Sequence, residues 1–185
     1  MKIRTIEQLK DHVNSGNKVK YVFFWGHQNK GTDVSKSCFS QWYESSFSDD
    51  GVKFMTAEHF MMAEKAKLFG DQVTYEKIVN ASNPGEAKAL GREVKGFVDS
   101  IWDQNRLKIV VKGNILKFSQ NEALKEFLVN TGDRVLVEAS PVDRIWGVGL
   151  AADNQKVENP NLWRGLNLLG FALMEVRDAL CQTSA

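Results

Sequence analysis

The chain has 185 residues, is 43% hydrophobic, and carries 24 Lys+Arg against 23 Asp+Glu for a net charge of +1. That composition suits one compact globular domain over residues 1–185. It excludes a general basic footprint for nucleic acid or an anionic membrane surface, though not a local basic cleft.

Cys38 and Cys181 fit no metal or disulfide spacing, and three histidines make a structural zinc site unexpected, so a reducing, cytoplasmic setting is predicted. MKIRTIEQLKDHVNSG has no apolar h-region, and no run approaches the roughly 18 apolar residues of a membrane span.

Thr5 with Gln8 forms a capping box and Gly16 a stop, predicting a helix over about 6–15. VKYVFFW, Val19–Trp25, is β-branched and aromatic and predicts a strand. Residues 26–51 look loop-like, from GHQNKGTDVSKS through CFSQWY to the turn signal Asp49–Gly51.

FMTAEHFMMAEKAKLF, Phe54–Phe69, then predicts an amphipathic helix capped by Thr56 and stopped by Gly70. Asp71 caps a further helix through about Val79. Pro84 in a first turn, with Glu86 three residues after Asn83, starts another. Ser100–Phe118 reads as a long, partly buried helix, and Ser119 with Glu122 as a capping box for a helix ending near Gly132. Arg134–Ala139 is a predicted short strand, SPVDRIWGVGLAADNQKVENPN a polar Gly-bearing segment, and Leu162–Leu180 an apolar helix. The expected class is α+β, mainly helical with a small sheet.

The helix after the turn carries the sharpest chemical signal. Helical residues advance about 100° each, so Lys65 lies about 20° from Glu58, and Phe69 about 20° to its other side. Phe54 and Met62 fall within about 40°, and Met55 and Met61 within about 60°. Lys67, Glu64, Ala63 and Phe60 make the opposite, wetter face. The apolar stripe therefore has a carboxylate and an ammonium along its centre, about 10 Å apart, too far for a direct ion pair. Either both side chains snorkel at the rim of a half-buried helix, or they work in a dry site. Apolar walls would raise the pKa of Glu58 and lower that of Lys65, preparing an acid/base group and a nucleophilic amine.

Four further places stand out. In ASPVDRIWGVG, Asp143 and Trp146 follow a strand, with Gly147 and Gly149 permitting close backbone approach; a plain turn over a buried Trp is the alternative. Trp42 in FSQWY could stack on a base or simply pack its loop. Asn167, among Leu166, Leu168 and Leu169, either caps local backbone or faces a cleft, and Gly170 admits a close neighbour. Arg92 could grip a phosphate or stand on the surface.

In order, FFWG, FSQW, GVKFMTAEHFMMAEKAKLF, ALGREV, the Trp-led VVKGNILKFSQN run, LVEASPVDRIWGVGL and NPNLWRGLNLLGFALMEVR resemble the YbiA/NADAR family of N-glycosidases. The likeness runs from about Tyr21 to Leu180, although FSQW departs from the family's usual Ser-Asn-Phe or similar. It implies a compact, mainly helical YbiA-like domain that hydrolyses an N-glycosidic bond to ribose. The implied substrates are ribosylamino-pyrimidine phosphates of riboflavin biosynthesis, or ADP-ribose on guanine, which would bring ADP-ribosylated nucleic acid in as a partner. No metal or organic cofactor and no membrane are implied.

By the same resemblance Glu58, Lys65 and Asp143 are the catalytic candidates. Trp25 and Gly26 of the first strand, and Ser40, Gln41 and Trp42 of FSQW, would supply part of the pocket. His59, Arg92, Trp102, Trp146, Gly147 and Asn167 complete the expected substrate contacts. A non-catalytic ADP-ribose or nucleotide-binding module is the competing class.

Overall fold

In the computed structural model, residues 2–28, 31 and 33–182 are described. Asn29, Lys30 and Thr32, within the expected 26–51 loop, lie outside them. The described residues form seven α-helices and two two-stranded sheets, the expected mainly helical α+β class. They divide into two compact units, 1–40 with 125–185, and 41–124.

The first unit is built on a parallel strand pair. Helix α1 (Ile6–Asn14) starts where predicted, with the Thr5 hydroxyl accepting from the Gln8 amide. The Gln8 side chain completes the cap by accepting from the Arg4 amide, 2.7 Å, rather than from Thr5. Strand β1 (Tyr21–Phe24) pairs in parallel with β4 (Val135–Glu138), Tyr21 opposite Val135 and Phe24 opposite Glu138. The buried Phe24 of β1 meets the buried Phe39 edge-on, and Phe39 meets the half-buried Phe127 at a tilt. Phe39 closes a 3-10 turn, Lys36–Phe39, where a loop was expected.

Helix α7 (Leu168–Gln182) lies on β4 and begins six residues later than predicted. Leu162 ends a separate 3-10 turn, Pro160–Leu162, and Trp163–Asn167 are non-helical. The reason is Asn167, whose φ of 54° places it in the left-handed region, off the helix. Gly170 lets α7 approach: a methyl there would collide with the Leu136 carbonyl oxygen. Gly170→Ala is therefore expected to cost about 2–3 kcal/mol, read as a lower urea midpoint at unchanged m-value.

The second unit wraps helices around one buried helix. Asp50 and Gly51, with φ of 47° and 80°, make a two-residue turn joining β2 (Phe47–Asp49) to β3 (Val52–Phe54). The turn signal was right, but its flanks are a hairpin, not a loop, and Phe54 belongs to β3. Helix α2 accordingly spans Ala57–Leu68, capped by Thr56.

Around it pack α3 (Gln72–Val79), α4 (Pro84–Arg92) and α5 (Asp99–Ser119). The caps of α3 and α4 are those predicted, Asp71 and Asn83. Asp71 also accepts from the Lys95 amide, which with Thr74 holds its carboxyl down at about 2. The Ser119 cap does not form. Ser119 ends α5, its hydroxyl donating to the Leu116 carbonyl, and α6 (Glu122–Val129) starts beyond it.

Candidate functional site

Helix α2 is buried nearly all round. Phe60 and Ala63, placed on the wetter face by the pattern, are both fully buried, because α3, α4 and α5 cover that side as well. Only Lys67 and Leu68 are exposed, at its last turn. A helix enclosed on several sides shows no single stripe, so the stripe argument located Glu58 and Lys65 but misjudged their surroundings. Of the expected apolar walls, Phe54, Met61 and Met62 are buried and Phe69 is half-buried; Met55, further out on the stripe, is exposed.

Glu58 is only 3% exposed. Its amide donates to the Gln41 carbonyl, 2.9 Å, so the loop ahead of the hairpin takes up one of the orphan donors of α2. Gln41 is held in turn by Asn114 of α5, whose Nδ2 donates to Gln41 Oε1 at 2.8 Å and to the Val110 carbonyl at 2.9 Å. Asn114 is wholly buried and its Oδ1 accepts nothing among the described residues. Sequence reasoning passed over it, although a lone Asn in an apolar helical run was a readable signal.

Lys117, three residues on, is also wholly buried, its ammonium 5.5 Å from the Tyr43 ring and 5.2 Å from that of Phe118. It too escaped notice, since Lys is expected on the wet face of a helix.

Lys65 is half-buried. Its ammonium donates to the Gly91 carbonyl, 2.7 Å, at the last turn of α4. It rests 4.2 Å from the Phe97 ring centroid and 5.7 Å from that of Trp102, and Phe69 meets Phe97 edge-on at 5.3 Å. The close approach depends on Gly91, where a methyl would strike the Met62 sulfur.

Burial lowers the Lys65 pKa most. Asp99 opposes the shift and Arg92 adds to it. Desolvation thus outweighs the acidic neighbour, and an amine so placed loses its proton more readily than a surface lysine. Of the predicted residues, the second unit therefore brings Lys65, Trp102 and the charge of Arg92 into one neighbourhood. Arg92 itself is exposed.

His59 is committed elsewhere. It is fully buried, with Nδ1 2.8 Å from the Thr56 hydroxyl and Nε2 3.1 Å from the Ala81 carbonyl. A carbonyl only accepts, so Nε2 carries the hydrogen and Nδ1 takes the hydroxyl proton. Both ring nitrogens serve the fold.

Burial lowers the His59 pKa from 6.5. Between the lowered value and 6.5 the unfolded chain binds a proton that the folded chain refuses, so stability falls as pH drops through that window. His59→Gln, which can still donate to Ala81, is expected to flatten that part of the melting-temperature profile. An unchanged slope would contradict the assignment.

Trp42 is half-buried against Gly85, with the Lys88 ammonium 5.8 Å from its ring.

In the first unit Asp143 organises its own loop. One oxygen, Oδ1, accepts from the amides of Ile145 and Trp146, both at 2.8 Å, and of Gly147 at 3.5 Å. Its own amide donates to the Ser140 hydroxyl. Oδ2 has no hydrogen bond among the described residues, so half of this carboxylate remains for other work. Gly147 has no room for a side chain, which would meet the Glu138 carbonyl at 2.8 Å.

Asn167 is fully buried. Its Oδ1 accepts from the Glu138 amide at 3.0 Å and its Nδ2 donates to the Leu136 carbonyl at 2.9 Å. That is the pair a third strand would satisfy, so this amide caps the β4 edge, backbone distant in sequence rather than the local backbone expected. Trp25 is exposed with Gly26 (φ 80°) beside it, Ser40 is half-buried, and Trp146 is half-buried. Cys38 and Cys181 are not joined in a disulfide. Among the described residues no helix is long and apolar enough to cross a membrane.

A buried carboxylate and a half-buried amine of lowered pKa lie two turns apart on one enclosed helix in an α+β fold. The chain belongs to the NADAR domain family, whose description matches residues 23–181. It is 45% identical over 165 residues to N-glycosidase R617 of Acanthamoeba polyphaga mimivirus, covering 86% of this chain and 95% of that protein. It is 30% identical over 131 residues to N-glycosidase YbiA of Escherichia coli (strain K12), covering 71% and 73%. The NMR structure of the E. coli protein YbiA superposes with a TM-score of 0.72 at 26% identity, over 91% of this chain and 89% of that one. The expected family and fold are borne out, and these relatives are named as enzymes of the N-glycosidase class.

Proposed function

We propose that this chain hydrolyses an N-glycosidic bond between ribose, as a phosphate or within ADP-ribose, and a base or amine, acting as one catalytic domain. The observation that carries this is the Lys65 environment. An amine with a lowered pKa, set on aromatic faces in the helix that buries Glu58, has a chemical use that a plain binding module lacks.

In this reading Glu58 supplies a proton to the departing base nitrogen or the ring oxygen. Lys65, as a neutral amine, attacks C1′ as the bond to the protonated base breaks. Protonation of the ring oxygen then opens the C1′–O4′ bond to leave a Schiff base, which water hydrolyses to the free sugar and the amine. Asp143, in the first unit, keeps Oδ2 open, a carboxylate oxygen suited to orienting ribose hydroxyls or activating water. Trp42 and Trp102 are flat surfaces on which a base can stack, and Arg92 is a fork for phosphate. His59 and Asn167 hold the structure and are left without a direct substrate contact in this scheme. No step calls for a metal or an organic cofactor. Cysteines outside any disulfide and a phosphorylated substrate suit a cytoplasmic setting.

Two substrate classes fit this chemistry: ribosylamino-pyrimidine phosphates, and guanine bases carrying ADP-ribose, the latter making a modified nucleic acid the partner. Incubating the protein with each, and measuring released base and sugar by chromatography, tests the proposal. Release from one class and not the other assigns the substrate. Tight binding of both with no release would make the protein a binding module.

A further inference from the structure

We propose that the outer edge of β1 is a docking site for an extended, carboxylate-bearing peptide of another molecule, which adds to the β1–β4 pair as a third strand. The two edges of this pair are treated differently. The Val135 amide donates to the Lys20 carbonyl and the Ala139 amide to the Phe24 carbonyl. In a parallel ladder that register commits the even residues of β1 to β4 and turns the amides and carbonyls of Tyr21 and Phe23 outward.

On the far side of β4, most of the corresponding outward groups are taken. Asn167 holds the Leu136 carbonyl and the Glu138 amide, and Val148 donates to the Glu138 carbonyl. On the far side of β1, the amides and carbonyls of Tyr21 and Phe23 have no protein partner among the described residues. Unblocked edges of this kind are templates for strand addition.

The open edge also has somewhere to seat a ligand. Tyr21 and Phe23 line a cavity of about 490 Å³ together with Val19, Lys20, Arg134 and Glu158, within the range of about 300–1,000 Å³ usual for binding sites. The two rings stack at 5.4 Å and 24°. Burial, with Glu158 adding to it, pushes the Tyr21 hydroxyl up to about 12, so it stays a neutral donor. It makes no hydrogen bond among the described residues.

Donors and acceptors alternating at two-residue spacing match a peptide backbone and not a compact small molecule. Two cations against one carboxylate favour an acidic side chain on the peptide. A second copy of this chain would bring the same concave wall and the same excess of positive charge, so it is the poorer complement.

The probe is a library of capped peptides of about five residues, the length that spans β1, with alternating β-branched positions and one Asp or Glu. Binding to the full chain is read by fluorescence anisotropy and by amide hydrogen exchange. The expected result is binders that slow exchange at the Tyr21 and Phe23 amides, and that Arg134→Glu weakens by about tenfold or more. Phe23→Pro, which removes an outward amide that β4 does not use, should abolish them. Base-release activity should be the same in both variants as in the wild type, so a failed docking site and a failed enzyme reading give different results. The proposal is overturned by a library without binders, by binders indifferent to both substitutions, or by concentration-dependent dimerisation that protects the same two amides without peptide.

Discussion

Glu58→Gln is expected to leave the fold intact and to lower turnover by about 10²-fold or more, roughly 2.7 kcal/mol of barrier. Gln keeps the size and shape of the side chain in a position only 3% exposed, and the backbone bond from residue 58 to the Gln41 carbonyl is untouched. What is removed is the ability to give and take a proton. A circular-dichroism melt within a few degrees of wild type would confirm that structure was spared. Turnover within about threefold of wild type would rule Glu58 out as the acid/base group.

Lys65→Ala is expected to have an effect at least as large, about 10² to 10⁴ in turnover, with a characteristic pH signature. Attack needs the neutral amine. Burial lowers the Lys65 pKa from the ordinary 10.5, so the wild-type rate should rise with pH through a midpoint below that of a surface lysine. Under the lowered pKa the ammonium cannot attack and the rate falls. The residual activity of Lys65→Ala should lack this limb.

Lys65→Arg separates two roles, since Arg keeps the positive charge but forms no imine. If Lys65→Arg retains near wild-type turnover, the side chain acts by charge alone and the nucleophilic role is lost. Truncation to Ala also removes packing on Phe97, so the comparison is made at a temperature where both variants are folded.

Much of the second unit was legible because its boundaries are set locally. Thr56, Asp71 and Asn83 each place a short oxygen side chain where the amides of a first turn lack partners, and each helix starts where that chemistry says. Ser119 carries the same signal but lies within the reach of α5, whose hydrogen bonding continues through it. The β2–β3 hairpin escaped because its strands have three residues each, too few to show alternation.

The site was legible in part for a comparable reason. Two charges on one face of α2 marked the helix, and Glu58 is indeed buried. Which residues surround it depends on α3, α4 and α5 closing over the other faces, which no local pattern encodes. The resemblance implied His59 as a substrate contact and the sequence left Asn167 open between backbone capping and a cleft; each is held by backbone groups 22 and 29–31 residues away. Asn114 was readable only as a lone Asn in an apolar run; its partner Gln41 lies 73 residues earlier, beyond any local pattern.

The Glu58–Lys65 helix as the seat of chemistry is tested most directly by borohydride trapping during turnover, followed by intact-mass measurement and peptide mapping. The account predicts a reduced sugar adduct on Lys65 in the wild type, slower to form in Glu58→Gln and missing in Lys65→Ala. An equal adduct in Lys65→Ala, or one mapped to another residue, would contradict it.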